Sequence, residues 1–139
     1  MPVYEPGQWL NPDSRPTGTG TATAGRFAVP LDGGRFDRHH HDDDELWFIT
    51  AGSGRILVDG AERDVRAGDI VLHPAGTTHD IVAVYEELRG FFTETGHPAG
   101  GRVGHLHRDE ADAAGHDVPA LPSPPGLEPA DPTAPTAGR

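Results

Sequence analysis

Three histidines and one glutamate have the types and spacing of a metal site. His39 and His41 are two residues apart, so on a strand their side chains share a face and His40 points away. Glu45 follows an acidic turn and can return on the neighbouring strand, and His79 begins another strand. Three imidazoles and one carboxylate suit iron, manganese, nickel, cobalt, copper or zinc better than calcium or magnesium. Such a set leaves two positions of an octahedral cation open for a small molecule.

The sequence contains further aspartates, histidines and apolar residues near these positions, and each is expected to have either a structural role or a place in the pocket. Asp42, Asp43 and Asp44 are expected to form a solvated turn. His105 and His107 repeat the two-residue spacing, but no carboxylate lies at a matching interval. A surface or edge-strand pair is therefore favoured for them, with the barrel mouth or a partner contact as the alternatives. The expected pocket residues beside the metal are Trp47, Phe36, His73 and Ile81.

The elements that must position these residues are short strands. Runs rich in β-branched and aromatic residues alternate with turn signals, and no long run with a period of 3.6 residues intervenes. The pattern predicts an all-β antiparallel sandwich or barrel of about nine strands. The predicted strands are 26–31, 36–41, 45–50, 55–58, 62–66, 70–73, 79–84, 88–93 and 102–107.

Composition divides the 139 residues into one folded unit and two flanks. Eleven of the fourteen prolines lie in the first 16 residues or between positions 119 and 135. Residues 1–24 are therefore predicted to be an extended arm anchored by Trp9 and Leu10, and residues 25–109 the barrel. Residues 110–139 are predicted to be a Pro/Ala-rich tail that is disordered, with an arm crossing to a partner as the alternative.

Charge and residue usage exclude several classes of function. A formal net charge of -11 disfavours binding to phosphate backbones, so no nucleic-acid partner is expected. Cysteine is absent, which excludes disulfides and thiolate chemistry, and all eleven basic residues are arginine, which excludes a lysine Schiff base. No apolar run reaches the roughly 18 residues of a membrane span, and no signal peptide is recognisable. The expectation is a cytoplasmic protein without membrane association.

The strand 45–49 is apolar on both faces, and 70–72 behaves similarly. One face carries Glu45, Trp47 and Ile49, whereas the other carries Leu46 and Phe48. A strand buried on both faces needs a second cover outside its own barrel. In a chain of this size the cover is expected to be a twin subunit, so the sequence predicts a homodimer.

The two candidate segments resemble the two motifs of the cupin superfamily. The first motif, G-x(5)-H-x-H-x(3)-E-x(6)-G, is complete from Gly33 to Gly52. The second, G-x(5)-P-x-G-x(2)-H-x(3)-N, runs from Gly68 and has Ala83 in place of the asparagine. The resemblance implies a double-stranded β-helix, a small jelly-roll barrel. It also implies that one divalent transition metal is bound inside by His39, His41, Glu45 and His79.

An open-sided site of this kind predicts a metal-dependent enzyme that acts on a small organic molecule. Oxygen-dependent chemistry, as in a dioxygenase or oxidoreductase, is the first interpretation. The alternative is a non-redox isomerase, epimerase, cyclase or lyase, which includes tailoring of specialised metabolites. A third interpretation is a non-catalytic metal or small-molecule binding module, or an accessory subunit of another enzyme. The motifs specify the site and leave the reaction, the substrate and the metal open.

Overall fold

The computed structural model describes residues 2–95 and 103–128. These residues form nine strands and one short helix, which confirms the all-β prediction. The elements are β1 Thr21–Val29, β2 Arg35–Phe36, β3 His40–His41, β4 Glu45–Val58, β5 Ala61–Arg66, β6 Ile70–His73, β7 His79–Thr95, β8 His105–Leu106, α1 Glu110–Ala114 and β9 His116–Asp117.

The main sheet has five antiparallel strands built around β4 and β7. Strand β7 pairs with β1 on one edge and with β4 on the other. The other edge of β4 pairs with β6 along its first part and with β5 along its second part. Two small ribbons, β2–β9 and β3–β8, complete the fold. The ribbon β3–β8 matters for function because it carries histidines on both strands.

Two strands are longer than predicted, and in β4 the glycine signals mark a bend instead of an end. The predicted strands 45–50 and 55–58 are one continuous β4, with register shifts at several points along its pairing with β7. Gly52 has φ of 73°, and a Cβ at this position would lie 1.9 Å from the carbonyl oxygen of Glu87. Bulges of this kind bend a strand around a barrel without ending it. The predicted strands 79–84 and 88–93 are likewise one continuous β7.

The core lies on the inner face of the main sheet. On β4, Trp47 and Ile49 are buried, whereas the outward-facing Phe48 is 38% exposed. The alternation predicted for this strand is therefore present. The buried cluster consists of Val29, Trp47, Ile49, Ile56, Val65, Ile81, Val84, Leu88 and Val118.

The N-terminal arm lies against the barrel through the two residues predicted to anchor it. The ring of Trp9 meets that of Phe92 edge-on, with centroids 5.2 Å apart. Leu10 and Ala24 exchange two backbone hydrogen bonds of 3.0 Å each. Strand β1 begins at residue 21, so part of the predicted arm belongs to the sheet.

The barrel continues beyond residue 109, where the sequence predicted the tail to begin. Helix α1 and strand β9 follow, and Val118 is 4% exposed within the core. The Val84 N–H donates to the Pro119 carbonyl (3.0 Å), and the Leu121 N–H donates to the Val84 carbonyl (2.9 Å). One buried valine and these backbone bonds hold a segment whose composition resembles a tail. Residues 129–139 of the predicted tail lie outside the described residues. In the described part of the chain, no helix has the length and apolar character needed to cross a bilayer.

Candidate metal centre

The four predicted ligands converge inside the barrel. One donor atom from each of His39, His41, Glu45 and His79 lies within 4.8 Å of all the others, and all four residues are buried. Nε2 of His79 is 2.9 Å from Nε2 of His39 and 3.0 Å from Oε2 of Glu45. Nε2 of His41 is 3.4 Å from the same carboxylate oxygen. Ligands about 2.1 Å from one cation are separated by about 3.0–3.4 Å, so the set matches one coordination polyhedron.

Backbone hydrogen bonds between distant segments bring the ligands together. His39 and His79 form an antiparallel bridge, with N–H to carbonyl distances of 3.2 and 2.9 Å. The Gly76 N–H donates to the His41 carbonyl at 2.6 Å, and Gly76 has φ of 77° in the turn before His79. Glu45 is the first residue of β4 and faces inward. The site therefore depends on the contact of the 74–79 turn with the 39–41 segment.

The acidic turn differs from the expected solvated loop. Oδ1 of Asp44 accepts a hydrogen bond from the Ala75 N–H (2.9 Å), and Oδ1 of Asp42 accepts one from the Gly104 N–H (2.9 Å). Asp43 is only 4% exposed. The expected solvation does not hold for the buried Asp43, and Asp42 and Asp44 cap loops that are remote in sequence. They fix the segment between two ligands.

The donor set fits a metal ion. Among the described residues, Nε2 of His41 and Oε2 of Glu45 are buried and have no hydrogen-bond partner. Their close neighbours in the set are not aligned as hydrogen bonds. Buried polar atoms without partners cost free energy. A cation held by the four side chains would satisfy both atoms.

Burial and mutual contact set the charges of two ligands. Burial, followed by the nearby His79, lowers the pKa of His39 to about 3. Burial alone would raise the pKa of Glu45, but its contacts with His41 and His79 outweigh this effect and hold that pKa well below its usual value. A neutral imidazole and an ionised carboxylate are the forms that bind a divalent metal. These two ligands therefore need no proton loss at neutral pH.

A cavity of about 450 Å³ lies beside the ligands. Trp47 and Phe36, two of the predicted pocket residues, line it, together with Phe27 and Phe92. The wall is aromatic on these sides, and His39, His41 and Glu45 provide the polar part of the lining. The arrangement suits a small, largely apolar molecule with one or two donor atoms.

His73 and Ile81, which were also predicted as pocket residues, do not line this cavity. Ile81 is fully buried in the core. His73 lies opposite Glu45 on β6 and is 1% exposed. Its ring centroid is 4.3 Å from those of Trp47 and His79, so it packs behind the ligands. The alternation of side chains along the strands predicted that both point into the barrel. At these positions, however, packed side chains fill the interior and leave no cavity.

The sequence analysis missed Glu94, which lines the cavity. Glu94 is 5% exposed, faces Glu45 across the β4–β7 pairing, and has Oε1 3.6 Å from Nε2 of His41. It lies one residue beyond the predicted end of its strand, and no motif marks it. His105 also lines the cavity, with its ring stacked on that of His39 at a centroid distance of 3.8 Å.

Comparison with known proteins identifies the class. A family model described as the AraC-like ligand binding domain matches residues 26–134, so the chain belongs to this family, whose domains are cupin-like. Among solved structures, a cupin-2 domain protein from Rhodospirillum rubrum superposes with a TM-score of 0.59 at 24% identity. The match covers 77% of this chain and 67% of that one. The DMSP lyase DddQ from Ruegeria pomeroyi gives 0.51 at 26% identity, over 61% and 43%. The predicted cupin barrel is confirmed.

Curated relatives match only a part of the chain. An uncharacterized protein, y4oW, from Sinorhizobium fredii is 38% identical over 71 residues, which is 51% of this chain and 33% of the relative. An acireductone dioxygenase from Bacillus cytotoxicus is 40% identical over 55 residues, which is 40% of this chain and 29% of the relative. The chain thus spans about a third or less of the length of these relatives.

Proposed function

We propose that this protein is a mononuclear metal-dependent enzyme that acts on a small organic molecule, with oxygen-dependent oxidation or cleavage as its chemistry. The observation that carries the proposal is the buried set of three imidazoles and one carboxylate beside an aromatic cavity. A redox-active metal held there supplies Lewis acidity toward a chelating substrate oxygen and electron transfer to O2. The partial similarity to acireductone dioxygenases supports this subclass.

The chain's own residues divide the remaining work. Trp47 and Phe36 exclude water from the ligand side of the cavity and orient an apolar substrate. Glu94 is the carboxylate placed to accept a proton from a substrate bound beside His41. Metal content measured beside activity in Glu94→Gln would distinguish a role in proton transfer from a role in metal binding, because Glu94 also lies close to the ligand His41.

The test is anaerobic purification followed by elemental analysis, then measurement of O2 uptake with acireductone and related enediols. Wild-type protein should hold a redox-active transition metal and consume O2. Glu45→Gln should lower metal content and uptake together, whereas the control Glu62→Gln, at an exposed residue of β5, should change neither. Full metal content in Glu45→Gln would exclude this ligand set.

A redox-inert metal without O2 uptake would favour the non-redox alternatives. The fold similarity to a DMSP lyase supports lyase chemistry among them. The corresponding assay is product detection by mass spectrometry with the same substrates under argon. Products formed without O2 would identify a lyase, isomerase or cyclase.

A second candidate function is non-catalytic binding of a small molecule. The match to the AraC-like ligand binding domain over residues 26–134 favours this reading. It predicts saturable ligand binding in the aromatic cavity, weakened by Trp47→Leu, with no product formed. An accessory-subunit role predicts loss of activity, with metal retained, when residues 129–139 are deleted.

We also propose that a second copy of this chain covers the outer face of the main sheet. Phe48 pairs in register with Ile70 on one side and Phe91 on the other, and all three are at least 38% exposed. Leu72 continues the patch. Residues 129–139 contain no apolar side chain larger than proline, so they are poor candidates to cover it. Light scattering at micromolar concentration should give a dimer mass for wild type and a monomer mass for Phe48→Glu. A monomeric wild type would exclude the dimer.

A further inference from the structure

Three side chains meet at the edge of the cavity, outside the inner ligand set, and two of them, Asp37 and His105, line it. This mouth cluster consists of Asp37, His105 and His107. Oδ2 of Asp37 lies 2.6 Å from Nε2 of His105 and 2.7 Å from Nε2 of His107. The two imidazole nitrogens are themselves 3.3 Å apart. One carboxylate oxygen and two imidazole nitrogens thus form a closed triangle.

Strand β8 carries His105, and His107 follows its last residue. His105 and His107 are two residues apart, and β8 pairs antiparallel with β3 through His41 and His105. Asp42 caps the start of this strand by accepting the Gly104 N–H. Beyond its end, Arg108 donates Nε–H to the Thr78 hydroxyl (2.7 Å). The segment that carries the two rings is therefore anchored on both sides.

We propose that the mouth cluster binds a second divalent transition metal, with Asp37, His105 and His107 as its protein ligands. Imidazole nitrogens on one cation are separated by about 3.0–3.4 Å, a range that includes the observed separation of the two rings. The carboxylate needs to move outward by only a few tenths of an ångström. Two imidazoles and one carboxylate on one face of a cation are an established set for zinc and iron.

The cluster is open to solvent where further ligands must bind. The side chains of His105, His107 and Asp37 are 44%, 25% and 35% exposed, respectively. Water or a donor atom of a molecule entering the cavity can therefore complete the coordination. The ligand class that fits this position is a chelating anion, because it supplies two oxygen donors to one cation.

The inner and mouth sites use separate nitrogens. Nδ1 of His39 lies 2.6 Å from the Asp37 carbonyl oxygen, and its Nε2 faces the inner set. His39 is therefore available as a ligand only to the inner site, although its Nδ1 is 3.7 Å from the Asp37 carboxylate. The stacked rings of His39 and His105 form the partition between the sites. The proposal does not depend on the inner metal or on the proposed enzyme activity.

Metal stoichiometry tests the proposal. Chelator-stripped protein titrated with Zn²⁺ and measured by equilibrium dialysis should bind two equivalents. Asp37→Asn and His107→Gln should each bind one, with the affinity of the remaining site unchanged. Glu45→Gln should lose the Zn²⁺ ion of the inner site and keep the one at the mouth cluster. The two metal sites can therefore be confirmed or rejected independently.

The matched control is His116→Gln. Nε2 of His116 lies 2.7 Å from an Asp80 oxygen, which gives it a histidine–aspartate contact without a second imidazole in the contact. The His116→Gln variant should still bind two equivalents of Zn²⁺. Circular dichroism verifies that each variant is folded. A second measurement needs only the wild type: NMR should show that Zn²⁺ changes the chemical shifts of the His105 and His107 ring nitrogens. Equal stoichiometry in wild type and His107→Gln, or unshifted ring nitrogens at saturation, would show that these side chains form only a hydrogen-bond network.

Discussion

The inner ligand set and the mouth cluster contain the same chemical groups in different surroundings. Each has a pair of histidines two residues apart and one carboxylate. His39, His41, Glu45 and His79 are at most 6% exposed, whereas the mouth side chains are 25–44% exposed. Burial removes water from the inner donors and leaves two donor atoms without hydrogen-bond partners among the described residues. The inner set is thus organised for a resident metal, and the mouth cluster for one that exchanges with solvent.

The largest expected effect is on the stability gained from the inner metal. In an Asp37→Asn background, which leaves only the inner site, Zn²⁺ at a thousandfold excess over its Kd should raise the free energy of unfolding by about 4 kcal/mol. His79→Ala should remove this gain. Thermal unfolding with and without Zn²⁺ measures it, with His40→Ala as the control because its side chain points away from the set. A gain that survives in His79→Ala would contradict the buried site.

The second prediction concerns how the buried imidazole of His73 makes the stability of the metal-free protein depend on pH. Burial, followed by the nearby His79, lowers the pKa of His73 to about 3. Between about pH 6.5 and pH 3 the unfolded chain binds a proton here and the folded chain does not, so stability falls as pH falls. The loss reaches about 1.4 kcal/mol per pH unit. Urea unfolding at pH 7 and pH 4.5 should show a smaller loss for His73→Gln than for wild type.

His116 provides the opposite sign for the same measurement. Burial alone would lower its pKa, but its hydrogen bond to Asp80 outweighs this effect and raises it. Its contribution to stability is present at low pH and disappears as pH rises through the folded-state pKa. His116→Gln should therefore lose more stability on acidification than wild type. Equal losses in both variants and wild type would contradict these charge states.

The smallest effect concerns the anchor of β8. Asp42→Asn weakens the carboxylate that accepts the Gly104 N–H, a hydrogen bond worth about 1 kcal/mol. Zn²⁺ affinity of the mouth cluster should fall about fivefold, with the inner affinity unchanged. Asp44→Asn, which weakens the cap on Ala75, is the reciprocal variant and should act on the inner site. Equal effects of both variants on both sites would mean that the two centres are not independently supported.

The two sites also differ in how visible they are in the sequence. Three inner ligands lie within seven residues, and His79 follows a recognisable turn, so strand parity and spacing indicate the set. The mouth cluster joins Asp37 to histidines 68 and 70 residues later. In the sequence, the absence of a carboxylate at a matching interval argued against a role in metal binding for His105 and His107. The structure supplies a carboxylate from a remote segment instead, which the antiparallel pairing of β3 with β8 brings close.

The sequence by itself determined the all-β class, the cupin barrel and the residues that form the inner set. The all-β class depends on periodicity and turn signals, whereas the cupin barrel and the complete ligand set depend on the resemblance of two segments to the cupin motifs. Tertiary structure decided that the glycine signals in β4 mark a bend, that β7 continues unbroken from residue 79 to residue 95, that Val118 belongs to the core, and that His73 lies behind the ligands. It also placed Glu94 and Asp37 at the cavity. Each of these depends on contacts between segments remote in sequence, and local residue patterns carry no information about such contacts.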